Sequence, residues 1–205
     1  MIVDHNTTFQ EFRSSDIKTI TLTNNVTDIG EESFAFCANL EEFQFSVQTK
    51  AIHSSAFRSC TKLSMITDII GLLTLEDHAF YKCSALKEID LSKTTIEDIP
   101  DACFFKCTSL EKILFPKSLK TIKNDSFAFC SSLQSITIPD NVEVIEGFSF
   151  ANCKNLQSIK FMNCKTKILP YAFVGCDNLI NINGIQPSSH FIEYNFRKSI
   201  SYETS

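Results

Sequence analysis

A right-handed solenoid is the fold the sequence predicts, with parallel β-strands on one face and short strands or 3₁₀ turns on the others. Three observations predict it. Cys37, Cys60, Cys83, Cys107, Cys130, Cys153 and Cys176 follow one another at intervals of 23, 23, 24, 23, 23 and 23 residues. A phenylalanine stands three residues before each of them (Phe34, Phe57, Phe80, Phe104, Phe127, Phe150, Phe173). A leucine stands three residues after each (Leu40, Leu63, Leu86, Leu110, Leu133, Leu156, Leu179). A fixed period of this length means one supersecondary unit stacked on its own copies.

Each part of the unit has its own physical reading. After the leucine come an aliphatic or aromatic column (Phe43, Ile66, Ile89, Ile113, Ile136, Ile159, Ile182) and, two residues on, Phe45, Asp68, Leu91, Phe115, Ile138, Phe161 and Gly184. Apolar residues two apart in a β-branched context predict a short strand. Pro116 and Pro139 then remove a backbone donor and end the pairing. The next column, Ile29, Ile52, Leu75, Ile99, Ile122, Ile145 and Ile168, marks a second extended segment. The closing stretch, small-F-x-x-C-x-x-L, has apolar residues three apart and predicts one helical or 3₁₀ turn. Its small column (Ser33, Ala56, Ala79, Cys103, Ser126, Ser149, Ala172) lets neighbouring coils approach closely.

A single coil is not stable alone. Ordering its backbone costs roughly 1–2 kcal/mol per residue, while each large apolar side chain returns about 1.5–3 kcal/mol on burial. The balance must come from stacking, so residues 17–184 are expected to form one seven-repeat domain without linkers. Residues 1–16, with Phe9 and Phe12 near the phase but not on it, read as an N-terminal cap. Residues 185–205 read as a degenerate terminal coil and C-terminal cap, with Phe191, Phe196 and Tyr202 still in phase and Ser199 in the cysteine position.

Composition narrows the function classes. The 205 residues are 43% hydrophobic and 21% charged, as in ordered globular chains, with 19 Phe, 9 Cys and no Trp. A net charge of −5 argues against a domain built for nucleic acid or acidic lipid. The apolar run around Ile69 is too short to cross a bilayer, so no membrane insertion is expected. The start lacks a basic and then apolar leader, which makes a cytoplasmic location the default expectation.

The stretch Ser126-Phe-Ala-Phe-Cys-Ser-Ser-Leu-Gln-Ser-Ile-Thr-Ile-Pro139 resembles, almost position for position, the BspA-like (Treponema pallidum type) leucine-rich repeat family. The resemblance spans about residues 17–184, weakest over 64–79, where Asp68 occupies an interior strand position and a bulge is expected. It implies a leucine-rich-repeat solenoid, a role in adhesion or protein recognition rather than catalysis, and a bacterial or protozoan source, often at the cell surface.

On that scaffold most chemistry-bearing residues have a structural reading. The repeat cysteines read as small buried hydrophobes beside Phe. The close pair Cys103-x₃-Cys107 has no second pair or His to complete a zinc site, so no metal ligand and no cofactor are expected. Cys164, out of phase, is the candidate reactive thiol. His5, His53, His78 and His190 fall at unrelated phases; His53 and His78, near Ser54 and Asp77, are the remote candidates for a loop-built enzyme site. No catalytic residue is assigned. Three sequons, at Asn6, Asn25 and Asn124, would carry glycans only on an exported chain.

The strand face offers the binding argument. Its outward residues include Glu42, Gln44, Met65, Thr67, Glu88, Asp90, Lys112, Leu114 and Lys160. Their identities are not fixed by packing, and strand pairing holds them in a regular array, so little entropy is lost on docking. They are the candidate partner-binding residues, and Phe36 and Phe129 are a second, aromatic candidate. The expected function is a non-catalytic protein-interaction scaffold acting as a monomer. Cell-surface adhesion to a host protein or glycan is the alternative.

Overall fold

The computed structural model describes residues 1–8, 10–13, 16–163 and 165–183. Phe9, Cys164 and the C-terminal coil and cap expected over 185–205 lie outside the described residues. Among the described residues there is no helix. Sixteen short strands follow one another: β1 Ile2–Val3, β2 Thr19–Leu22, β3 Asp28–Ile29, β4 Glu42–Gln44, β5 Ala51–Ile52, β6 Met65–Thr67, β7 Thr74–Leu75, β8 Glu88–Asp90, β9 Asp98–Ile99, β10 Lys112–Leu114, β11 Thr121–Ile122, β12 Ser135–Ile138, β13 Val144–Ile145, β14 Ser158–Phe161, β15 Lys167–Ile168 and β16 Asn181–Asn183. Every pairing is parallel and joins like positions of successive coils, as Ile20↔Phe43 and Ile159↔Ile182 show. The chain is a parallel β-solenoid.

Inside, the repeat columns become continuous stacks. The rings of Phe34, Phe57, Phe80, Phe104, Phe127, Phe150 and Phe173 lie 5.1–5.5 Å apart and within 10° of parallel. All seven are fully buried, and the leucines from Leu40 to Leu156 beside them are buried too. A spacing close to that of paired strands lets each ring occupy the same site one storey on. The small column is fully closed off: the hydroxyls of Ser126 and Ser149 turn back to the local carbonyls of Lys123 and Glu146, and Ser33 Oγ accepts from Thr7 Oγ1.

The small-F-x-x-C stretch turns through i to i+3 bonds, such as Ala35 N to Glu32 O and Cys37 N to Phe34 O. A 3₁₀ turn does not continue, because two residues per coil are left-handed. They stand five and one before the cysteine: Ser55 and Ser59, His78 and Lys82, Ala102 and Lys106, Asp125 and Phe129. Each reversal aims alternate amides at the next coil instead of along its own. Phe57 N reaches Ala79 O at 2.8 Å and Ser59 N reaches Tyr81 O at 2.7 Å, a ladder repeated up to Asn152 N on Val174 O. Left-handed non-glycine residues cost energy; here intercoil amide bonds offset it.

The N-terminal segment continues the stack. β1 pairs with β2, the Phe12 ring lies 4.8 Å above Phe34, and Phe12 N bonds Ser33 O. Phe12 thus occupies the phenylalanine column although it is one residue short of the usual spacing. Gly30 permits the approach, since a Cβ there would meet Thr7 O at 2.2 Å. Asp68 does not point inward. It takes a left-handed conformation (φ 64°), is exposed, and accepts from Gln44 Nε2 at 2.9 Å, while Ile69 is buried in its place.

Candidate functional site

The strand face is not one sheet. β1, β2, β4 and β6 form one, β8 and β10 a second, and β12, β14 and β16 a third. The second face breaks as well, between β7 and β9. The 24-residue interval explains part of this. Its extra residue is absorbed between Ile89 and Ile99, where Thr94 is buried with its hydroxyl on Leu91 O. Between the two faces the Phe57, Phe80 and Phe104 rings stay stacked, so the core column runs on unbroken past both interruptions.

On the strand face each break is a groove. One of about 530 Å³ lies between β6 and β8, lined by Met65, Ile66, Thr67, Glu88 and Lys112 among others. A smaller one of about 120 Å³ adjoins it, with Asp90 and Leu114 on its wall. The third, about 380 Å³, lies between β10 and β12 and reaches Phe115, Ile136 and Pro139. Met65 is 52% exposed and Leu114 40%, so each groove has an apolar rim residue over an aliphatic floor of Ile66 or Ile113.

The candidate residues are distributed as follows. Met65, Thr67, Glu88, Asp90, Lys112 and Leu114 converge on the grooves. Glu42 and Gln44 pair in register with Met65 and Thr67 one coil away, on intact sheet. Lys160 pairs with Thr137 on the third sheet. Across β8 and β10, Glu88 and Lys112 form an exposed ion pair at 3.7 Å, worth little in water. Hydrogen bonds from Ser92 hold the Asp90 carboxyl below its usual range, helped by Lys93 and Lys112. Sequence columns alone do not single out Lys87 and Glu111, whose position two before the inward isoleucine places them on the groove wall. Charge alone does not mark them, since Lys18 and Glu41 carry charge in the same column on intact sheet and uncharged Ser64 lines the groove.

The remaining candidates have structural partners. His53 Nδ1 lies 3.0 Å from Glu76 Oε1, and its Nε2 3.8 Å from Asp28 Oδ1. Ser54 Oγ donates to Asp77 O rather than to His53. His78 leans on Tyr81, with centroids 5.5 Å apart. Among the described residues no nucleophile is bonded to a histidine, and no cluster suited to a metal ion occurs. No described helix is long and apolar enough to cross a membrane.

The cysteines have a second role besides filling space. Every repeat thiol donates to the phenylalanine carbonyl of the preceding coil: Cys37 to Phe12 at 2.7 Å, then Cys60 to Phe34, Cys83 to Phe57, Cys107 to Phe80, and on to Cys176 to Phe150, at 3.0–3.2 Å. Burial pushes the Cys60, Cys83, Cys103, Cys107, Cys130 and Cys153 thiols well up, so they remain protonated donors. Cys164 lies outside the described residues.

Comparison with solved structures returns the same architecture. A leucine rich cell surface protein from Faecalibacterium prausnitzii superposes with a TM-score of 0.73 at 19% identity, over 87% of this chain and 60% of that one. The T. pallidum leucine rich repeat protein gives 0.57 at 22%, over 93% and 86%. A leucine-rich repeat protein from Bacteroides ovatus gives 0.52 at 21%, over 85% and 57%. At these identities the likeness is one of fold, and the chain spans about 60% of the length of the F. prausnitzii structure. These relatives are bacterial, and nothing supports a protozoan source. No curated protein matches. The family model for the BspA type leucine rich repeat region matches residues 6–107 and 97–204. With a model covering nearly its whole length and the repeat columns stacked as that unit requires, the chain belongs to the BspA type leucine-rich repeat family.

Proposed function

We propose that the chain is a non-catalytic protein-interaction scaffold whose contact surface is the strand face around β8 and β10. One observation carries the reading: the sheet opens at both sides of this strand pair into grooves with exposed Met65 and Leu114 at their rims. Exposed apolar side chains over a partly apolar floor, surrounded by charge, match the anatomy of a protein contact with central anchors and a polar rim. The stacked phenylalanines behind the face keep it rigid, so docking costs little ordering entropy. The acidic pair Glu88 and Asp90 beside Lys87 and Lys112 gives orientation rather than bulk affinity.

The test is affinity capture from source lysate with wild type and a Glu88→Lys/Asp90→Lys variant. Both residues are exposed, so the unfolding midpoint should stay put while the captured partner is lost. Undiminished capture would move the site off this face. Adhesion at the cell surface is a second reading, favoured by the F. prausnitzii relative being a cell surface protein. Surface proteolysis of intact source cells separates the two, since a protected chain is incompatible with adhesion.

A further inference from the structure

The turn face carries a feature the strand face lacks. In the F-x-x-C-x-x-L stretches from Phe34 to Leu156 there is no Asp or Glu, in a chain with 24 acidic residues, yet Arg58, Lys62, Lys82, Lys106 and Lys154 occur there. The cations are seated on rings. Arg13 lies 5.0 Å and Arg58 5.8 Å from the Phe36 centroid. Arg58 lies 5.4 Å and Lys82 5.2 Å from Tyr81. Lys106 lies 5.5 Å from Phe105 and 5.3 Å from Phe129. Tyr81 stacks on Phe105 at 5.0 Å, and Phe105 meets Phe129 edge-on at 5.4 Å. The lysines that form ion pairs (Lys18, Lys112, Lys120, Lys123) are elsewhere. Among the described residues no carboxylate pairs with the ring-seated cations, and the buried Arg58 Nε has no hydrogen-bond partner.

We propose that this aromatic and cationic stripe binds a linear polysaccharide bearing one carboxylate per sugar. The rings hold the cations in place, which removes most of the entropy cost of gathering them around an anion. Arg58, Lys82 and Lys106 come from three successive coils, whose core rings step by 5.1 and 5.5 Å, so the stripe offers one cation per coil. A pyranose unit is about as long as one coil is thick, so a polyuronate presents carboxylates in step with the row. An extended peptide advances roughly 3.3 Å per residue and falls out of register. Ring edges between the cations supply apolar contact for the sugar C–H groups. The stripe is independent of the strand-face reading and stands or falls separately.

Polygalacturonate is the probe, with polyglutamate and phosphatidylserine vesicles as comparators, by affinity electrophoresis and calorimetry. The wild type should bind polygalacturonate in preference to both comparators. Binding should weaken at least tenfold in Arg58→Ala/Lys82→Ala/Lys106→Ala and weaken clearly in Lys82→Gln/Lys106→Gln, which leaves Arg58 packed and the unfolding midpoint unchanged. Lys112→Ala/Lys160→Ala on the strand face should bind as wild type. No binding by the wild type, binding undiminished in the glutamine variant, or tighter binding of polyglutamate or vesicles would each overturn the proposal.

Discussion

The thiol of Cys83 donates to the carbonyl of Phe57, one coil back, at 3.1 Å, and that same carbonyl accepts the amide of Cys60. Cysteine here ties two coils together at the point where the aromatic stack passes. Valine would fill the volume without the donor. Cys83→Val should cost about 1 kcal/mol, the usual net value of a hydrogen bond, read as a lower urea midpoint at unchanged slope. A wild-type midpoint would reduce the cysteine to a space filler.

The buried thiols make the fold sensitive to alkali. In the unfolded chain a thiol ionises around 9.0, whereas burial raises Cys60, Cys83, Cys103, Cys107, Cys130 and Cys153 well above that value. Above pH 9 the unfolded state therefore holds fewer protons than the native one, and stability falls as pH rises. At pH 10 each thiol contributes a loss of about 1.4 kcal/mol, and six together approach the whole stability of an ordinary domain. Circular dichroism from pH 7 to 11 should show cooperative unfolding near pH 10. The same six thiols should resist alkylation at neutral pH until denaturant is added.

What the sequence disclosed was whatever repeats in side-chain type. The Phe, Cys and Leu columns announce the core because each such residue must meet its own kind one coil away. The left-handed pair per coil is hidden, because Ser59, Lys82 and Phe129 share no side-chain feature with it. Gly175 and Asn152 in the same column were the faint signal. Phe12 reads as out of phase because a spacing one residue short looks like a mismatch, although the ring still joins the stack. The opening of the strand face is a break in pairing between β6 and β8 and between β10 and β12, a tertiary property to which the 24-residue interval is the one local pointer. The cation ladder is not legible in sequence, because Arg58 and Lys82 fall in different columns and become neighbours only when coils stack.

Ser59 tests the turn geometry directly. Its φ is 60°, where an L-residue is strained and glycine is not. Ser59→Gly should leave stability unchanged or raise it by up to about 1 kcal/mol. Ser59→Val should lower it by more than about 1 kcal/mol, although the position is only half-buried. Thermal unfolding of the pair decides. A stabilised valine variant would mean the turn is not left-handed there.

The N-terminal coil is held by a pH-dependent clasp. His5 Nε2 meets Glu11 Oε1 at 2.7 Å, and Glu11 Oε2 accepts the Thr8 amide at 2.9 Å. Glu11 foremost, then Asp4, raises His5 above 6.5; this contribution is complete below 6.5 and fades as pH climbs through the raised value. For Glu11, burial pushes upward but the His5 and Thr8 hydrogen bonds outweigh it and leave it below 4.5. Its contribution is present above 4.5 and fades as pH drops through the lowered value. The clasp therefore acts between about pH 4.5 and 6.5. Thr21 N bonds Met1 O and Thr23 N bonds Val3 O, so their amide exchange reports whether β1 stays on β2. His5→Ala should speed exchange at Thr21 and Thr23 at pH 5.5, corrected for intrinsic rates, and make little difference at pH 8.5, where the wild type has already lost the charge. Equal effects at both values would show that the histidine holds the coil by shape and not by charge.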